Sequence, residues 1–278
     1  MATEISPNLI QDHYTESGEH IVSRGCKVSA IGTWLKKGAL DISHAPIASL
    51  FYGAIMALCV MLVYTSFQQQ PIMMFKMATL FVMLTPFLAT GLYATSCQLS
   101  RHQQPNLMRS LFAWRQNKAE FAFFALLLGV IIAIWSRITP LIGAIIESNS
   151  LLIVNPNQGV MSFLTSEAGQ AFMMYFLIGA LFLAAIVFAL SVVTIPLLLR
   201  DRNIGVISAM ILSVKVVGQN KLVMLLWALT IGVLVSIGIV TLGLAMLVVM
   251  PLLGYASWHA FNDLIEVDDK QSIYDIDV

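Results

Sequence analysis

Long stretches without a charged side chain constrain the fold of this 278-residue chain more than any other feature. Several of them are about 20 residues long, which as a helix crosses roughly 30 Å of hydrocarbon. Hydrophobic residues make up 58% of the chain and charged residues 11%, whereas a soluble domain carries about 25% charged residues. The sequence therefore predicts an all-α polytopic membrane protein. Its formal net charge of zero provides no field for binding nucleic acid.

The last of five apolar segments, residues 222–261, is too long for one membrane helix. At about 1.5 Å per residue it would be roughly twice as long as the membrane core is thick. Two glycines, Ser236 and Thr241 near its middle favour a tight reversal there. We therefore expect six transmembrane helices, at residues 47–67, 73–97, 120–137, 171–199, 222–240 and 242–261.

The distribution of basic residues predicts the orientation. Of the 15 Lys and Arg residues, all but Lys76 and Arg137 lie in the N-terminal segment, in two of the loops or in the C-terminal segment. Basic loops stay in the cytoplasm, so we expect both termini on the cytoplasmic side of the membrane. We expect a flexible tail at 1–27, which lacks a signal-peptide pattern, one membrane domain at 28–262, and an acidic tail at 263–278.

An internal repeat is visible between residues 116–129 and 219–232. The two segments share Gln, Asn, Lys, Ala, Leu and Gly at equivalent positions, and residues 41–53 fit the pattern more weakly. Each copy begins with a basic amphipathic stretch, at 28–39, 107–116 or 204–217. We interpret the chain as three copies of one helical hairpin, related by a pseudo-threefold repeat and each preceded by a cytoplasmic-side amphipathic helix.

The repeat points to two groups of equivalent residues. Asp41, Asn117 and Asn220 stand where a helix begins, so we expect them to act as helix N-caps; a polar ring lining a pathway is the alternative. Glu120 follows Asn117 at the spacing of a capping box. The return helix of each copy carries a proline toward its cytoplasmic end, and we expect bends there, at Pro86, Pro196 and Pro251.

The amphipathic stretches and the outer segment are candidate contact surfaces. Basic amphipathic helices lie in the headgroup layer of anionic lipid, and docking of a partner is the alternative use. The segment at 139–169, expected as an outer loop, carries no Lys or Arg and places a turn at 155–159 between two apolar runs. It either packs on the bundle or docks another membrane subunit.

Residues that could carry chemistry are few. His259 follows Trp258 where the final apolar run ends, so the histidine is either a ligand or an interfacial anchor. None of the five histidines falls in the middle of a span. We therefore expect interfacial anchors at Trp34, Trp114, Trp258 and His259. A haem held by His44 and His259 is a remote alternative.

We expect no enzymatic activity, cofactor or metal site. The sequence shows no phosphate-binding loop, nucleophile elbow or zinc-protease motif. Cys26, Cys59 and Cys97 are odd in number and lack the spacing of a zinc site.

Five motifs resemble a bacterial integral membrane family catalogued as domain of unknown function 2189. They are DISHAPIASLFYG at 41–53, TPFLATGLY at 85–93, IPLLLRDR at 195–202, QNKLVMLLWA at 219–228 and PLLGYASWHAF at 251–261. The resemblance implies an inner-membrane protein, and some family members are labelled as cytochrome c oxidase components. Compared with the family pattern, Tyr255 replaces a histidine and Ala94 replaces a glutamate.

Together these features predict a non-enzymatic inner-membrane accessory, assembly or scaffolding protein. Its expected partners are the phospholipid bilayer and another integral membrane protein, such as a respiratory complex. A carrier or channel for a small molecule or lipid is the alternative, with Lys76 and Arg137 near its outer mouth. A haem-binding membrane protein is a remote alternative.

Overall fold

The computed structural model describes residues 5–14, 20–150, 159–201 and 204–267. These residues form helices and one small sheet. In chain order, the elements are β1 Ile5–Tyr14, β2 His20–Cys26, α1 Ala30–His44, α2 Pro46–Phe67, α3 Pro71–Leu88, α4 Thr90–Ser100, α5 Leu107–Leu111, a 3-10 helix Ala113–Asn117, α6 Lys118–Ser150, α7 Val160–Thr165, α8 Glu167–Ser191, α9 Thr194–Arg200, α10 Val206–Gln219, α11 Lys221–Val240, α12 Met246–Leu264 and β3 Ile265–Val267.

Five helical stretches of the described chain are long and apolar enough to cross a membrane. They are Pro46–Phe67, Pro71–Ser100, Ala113–Ile146, Glu167–Arg200 and Lys221–Val240. The prediction of a polytopic helical membrane protein is therefore confirmed. The expected sixth span corresponds to α12, which is not one of the five because His259, Asn262 and Asp263 make its second half polar.

The outer segment differs from the prediction. We expected a loop at 139–169, but α6 continues to Ser150, α7 occupies Val160–Thr165 and α8 starts at Glu167. Neither Arg137 nor Pro140 ends α6. Arg137 points outward, and a proline removes only one backbone donor from a helix that its neighbours hold in place. Of the turn expected at 155–159, only Gly159 belongs to the described residues.

Two of the three expected proline bends coincide with helix breaks. Pro86 lies just before the end of α3 at Leu88, and α4 starts at Thr90. Pro196 lies in the first turn of α9, where proline is tolerated. Pro251 lies inside α12, which continues through it without a break.

The two ends of the described chain meet in a three-stranded sheet. β2 pairs antiparallel with β1 and also with β3, where Ile21 lies opposite Val267 and Ser23 opposite Ile265. The flexible tail expected at 1–27 is therefore wrong for residues 5–14 and 20–26. The pairing of β2 with β3 escaped prediction because the two strands lie at opposite ends of the chain, and no local pattern marks such a pairing.

Burial divides the helices into two layers. At one end of the bundle, α4, α9 and the second half of α12 are almost entirely buried. Along the rest of the bundle, α2, α6, α8 and α11 expose apolar side chains. Examples are Leu58 at 64%, Leu126 at 63%, Phe182 at 69% and Val233 at 60% exposed. A surface this apolar faces hydrocarbon or another protein rather than water.

α2 and α12 pack backbone against backbone at Gly53. A Cβ added to Gly53 would stand 2.6 Å from the carbonyl oxygen of Leu247. Gly129 and Gly232, the equivalent residues of the expected repeat, have open space at the same position. Only the first of the three glycines is therefore needed for helix packing.

We expect Gly53→Ala to destabilise the protein by about 1–3 kcal/mol, because the new methyl group meets a backbone that cannot move aside. Gly129→Ala and Gly232→Ala are matched controls. They should be neutral or stabilise their helices by up to about 1 kcal/mol. Thermal unfolding of the detergent-purified variants measures the difference, and equal effects of all three would contradict the close contact.

Candidate functional site

A buried carboxylate lies where α1, α4 and α12 meet. Asp41 is in the last turn of α1, and its side chain is 11% exposed. Its Oδ2 atom accepts a hydrogen bond from the Ser96 hydroxyl of α4 at 2.5 Å. The same oxygen lies 2.9 Å from Nε2 of His259 in α12. We call Asp41, Ser96 and His259 the Asp41 cluster.

The Asp41 cluster explains His259, which is neither an anchor nor isolated. The imidazole is 15% exposed and pairs with Asp41 across 218 residues of sequence. A buried carboxylate is costly unless hydrogen bonds or an opposite charge compensate for the lost water. His259 and Ser96 supply that compensation, so the prediction of an interfacial role for His259 is wrong.

The order of atoms in the Asp41 cluster does not match a nucleophilic triad. In such a triad the histidine lies between the serine and the carboxylate, so that it can take the serine proton. Here the carboxylate lies between Ser96 and His259, and both bind its Oδ2 atom. This arrangement ties three helices together and leaves the Ser96 hydroxyl engaged with the carboxylate.

Two hydroxyl pairs lie next to the Asp41 cluster. The Tyr255 hydroxyl of α12 is 3.0 Å from the Ser49 hydroxyl of α2. The Tyr52 hydroxyl is 2.9 Å from that of Ser110 in α5. Gly91 makes room for Tyr52, because a Cβ on Gly91 would stand 1.8 Å from the tyrosine oxygen. These pairs join the start of α2 to α5 and α12.

Trp34 belongs to a second buried group. Its indole N–H donates to Oδ2 of Asp263 at 2.7 Å, and its ring meets Trp227 edge-on with centroids 5.6 Å apart. Lys37 lies 3.9 Å from the same carboxylate. Trp34 is 0% exposed and Trp258 2% exposed. Neither can reach the headgroup layer, so both were wrongly predicted as interfacial anchors.

Trp114 is the one predicted tryptophan anchor that lies on the surface. It is 44% exposed in the 3-10 helix that follows α5. Close by, the Arg115 guanidinium lies 4.7 Å from the centroid of the Phe112 ring. An exposed tryptophan beside a basic side chain fits the headgroup layer, and the anchoring role of Trp114 stays a prediction.

The expected N-caps act mainly as cross-links between elements. Asp41 lies inside α1, and the residue that precedes α2 is Ala45. Asn220 precedes α11 but makes no side-chain cap, since its amide accepts from the Cys26 N–H and donates to the Arg24 carbonyl. The capping prediction is therefore wrong for both residues, because each side chain has a partner on a distant segment.

Asn117 and Glu120 reach across to the segment around α9. The Asn117 amide donates to the carbonyls of Leu198 and Asp201, at 3.4 and 3.5 Å. Glu120 accepts the Val206 N–H at 2.7 Å and so caps the start of α10. The carboxylate of the expected capping box therefore serves a different helix from its own.

The two histidines considered as haem ligands have different surroundings. His44 is exposed at the end of α1, whereas His259 is held by Asp41. In the part of the chain that the structure describes, no group of three or more His, Cys, Asp or Glu side chains is arranged to hold a metal ion.

Sequence reasoning selected Asp41 and His259 but missed Ser96, Asp263 and Tyr52. The available signal was that Asp41 and His259 are ionisable residues close to long apolar stretches. In a chain with so few charges, such residues need each other. Ser96 gave no signal, because a serine in an apolar helix usually bonds to its own backbone.

We expect His259→Ala to lower the free energy of unfolding by about 1–3 kcal/mol, because the buried Asp41 carboxylate loses one of its two partners. His44→Ala, the matched control at an exposed histidine, should change it by less than about 0.5 kcal/mol. Thermal unfolding in detergent measures both variants. If His44→Ala lowered the free energy of unfolding as much as His259→Ala, the result would contradict the pairing of His259 with Asp41.

Comparison with known sequences supports the membrane assignment. Residues 72–200 match a family model described as a predicted integral membrane protein, DUF2189. The match runs from α3 to α9 and includes Ser96, whereas Asp41 and His259 lie outside it. No curated protein and no solved structure matches the chain. Residues 72–200, a little under half of the chain, are thus similar to the DUF2189 family of predicted integral membrane proteins.

Proposed function

We propose that this protein is a non-enzymatic accessory or scaffolding component of a bacterial inner membrane that binds another integral membrane protein. The observation that carries the proposal is a contrast between the inside and the outside of the bundle. Polar side chains inside it hold helices together, while its outer surface is widely apolar.

The buried polar groups support a structural role. Asp41, Asn117, Asn220 and Asp263 each bind groups on other elements. Each such bond uses the donor or acceptor that a substrate would need. An active site usually keeps a reactive group directed into a pocket.

Aromatic packing between α3, α6, α7 and α8 argues against a carrier. Phe75, Trp135, Phe163, Phe172 and Phe176 form one chain of ring contacts, with centroids 5.4–6.4 Å apart. A carrier needs a polar or open route near the middle of the membrane. These rings fill the space between the helices close to Lys76 and Arg137, the residues of the proposed outer mouth.

The outer end of the bundle is the surface that best fits a protein partner. Leu141 and Ile145 on α6 are 56% and 50% exposed, and Met161 on α7 is 76% exposed. A Cβ added to Gly143 would stand 3.2 Å from the Ile72 side chain at the start of α3, so this part of α6 is level with the end of the α2–α3 hairpin. Apolar side chains at the membrane boundary are stabilised by contact with another membrane subunit.

Both termini are proposed to be cytoplasmic. β2 and β3 share a sheet, so residues 20–26 and 265–267 lie on the same side of the membrane. The predominance of Lys and Arg in the segments expected on that side supports its assignment to the cytoplasm.

The three-unit organisation is also proposed, and helix contacts support it. In this interpretation the units are α1 to α4, α5 to α9 and α10 to α12. The first helix of each unit packs on the last helix of the preceding one: α5 on α4, α10 on α9, and α1 on α12. The third contact closes a ring, as a threefold repeat requires.

Site-specific photo-crosslinking in living cells tests the partner. A photoreactive residue at Leu141 or Met161 should give an adduct with one membrane protein, identified by mass spectrometry. The same residue at Leu126, which is equally apolar and exposed but lies further inside α6, should give none. Recovery of this protein alone at all three positions would contradict the scaffold proposal.

A further inference from the structure

We infer that the hairpin of α11 and α12 enters and leaves the membrane from the same side, so that the chain crosses the membrane four times. The turn of this hairpin then ends about halfway through the bilayer. The inference concerns topology and does not depend on the scaffold role.

The sheet limits the number of crossings. Because β2 pairs with β3, the chain between Cys26 and Ile265 must cross the membrane an even number of times. Five described stretches are able to span, of which α11 is the last. Either α11 and α12 both cross, giving six crossings, or neither does, giving four.

The depth of the turn between α11 and α12 favours four crossings. Gly243 lies in the turn between α11 and α12, and a Cβ added to it would stand 2.6 Å from the Ala57 carbonyl oxygen. Ala57 is near the middle of α2, which has 22 residues. The part of α2 beyond Ala57 continues for about 15 Å at 1.5 Å per residue.

Other contacts mark where the outer surface lies. The Val160 N–H donates to the Gln68 carbonyl in the α2–α3 loop, and a Cβ added to Gly143 of α6 would stand 3.2 Å from the Ile72 side chain. The outer ends of α2, α3, α6 and α7 therefore meet at one level. The turn between α11 and α12 lies at the level of Ala57, about half the length of α2 below that outer level.

The turn is built to lie in hydrocarbon. Every backbone N–H from Thr241 to Val249 donates a hydrogen bond within the hairpin. The N–H of Ala245 donates to the Thr241 hydroxyl, and the others donate to backbone carbonyls. Unsatisfied backbone groups are excluded from the membrane interior. The side chains exposed at the turn are apolar, with Val240 at 81%, Leu242 at 49% and Leu244 at 74% exposed.

Gly243 makes this tight turn possible. Its φ of +94° is rare for other residues, and its missing side chain permits the contact with Ala57. The polar second half of α12 agrees with a hairpin of half depth. Asp263 and His259 remain near α1, where Trp34 and Asp41 bind them.

Labelling of single introduced cysteines from outside the cell tests the inference. The probe is a charged maleimide that does not cross membranes, applied to intact spheroplasts. The unmodified chain with its three native cysteines gives the background. Gln69→Cys, exposed in the α2–α3 loop, should be labelled. Leu58→Cys, exposed on the middle of α2, should not be labelled.

Leu242→Cys decides between four and six crossings. If the turn lies within the bilayer, Leu242→Cys should be labelled no faster than Leu58→Cys in intact spheroplasts. It should be labelled fully after denaturation in detergent. Labelling as fast as Gln69→Cys would place the turn at the outer surface and overturn the inference. Labelling from the inner side in inverted vesicles would also overturn it, because the hairpin would then lie outside the bilayer.

Discussion

A carboxylate buried among helices is the constraint on which the end of the bundle around α1, α4 and α12 depends. Asp41 is nearly removed from water, so it requires partners wherever the helices settle. Ser96 and His259 provide them, and in doing so bring α4 and α12 against α1. Since α12 belongs to the last part of the chain and α1 to the first, one carboxylate couples the two ends of the membrane domain.

Other contacts join the same segments. Trp34 binds Asp263, Asn220 binds the backbone of β2, and β2 pairs with β3. The first and last helices are thus held by a sheet, a tryptophan and a carboxylate at once. With these ends held together, the apolar side chains exposed on the other helices can face lipid or a partner, as the proposed scaffold role requires.

The candidate site shows how far prediction from residues could reach. Asp41 is predicted from the repeat, where it precedes a helix, and His259 from its place after Trp258 at the end of the last apolar run. Their roles were assigned from local surroundings, as a helix cap and as an interfacial anchor, and both assignments were wrong. Trp34 and Trp258 failed for the same reason: a tryptophan beside polar residues resembles an anchor in sequence, whereas burial depends on which helix covers it.

The sequence by itself determined the membrane class, the position of most long helices and the three amphipathic stretches, because partition into lipid and helical periodicity depend on neighbouring residues only. α2 and α11 agree with their predicted limits to within one residue. Only the tertiary structure decided the partners of Asp41 and Asn220, the strands at both ends, the continuation of α6 past Arg137 and the level of the α11–α12 turn. Apart from the β1–β2 hairpin, these features depend on which segments far apart in the chain come into contact, and local composition does not specify that.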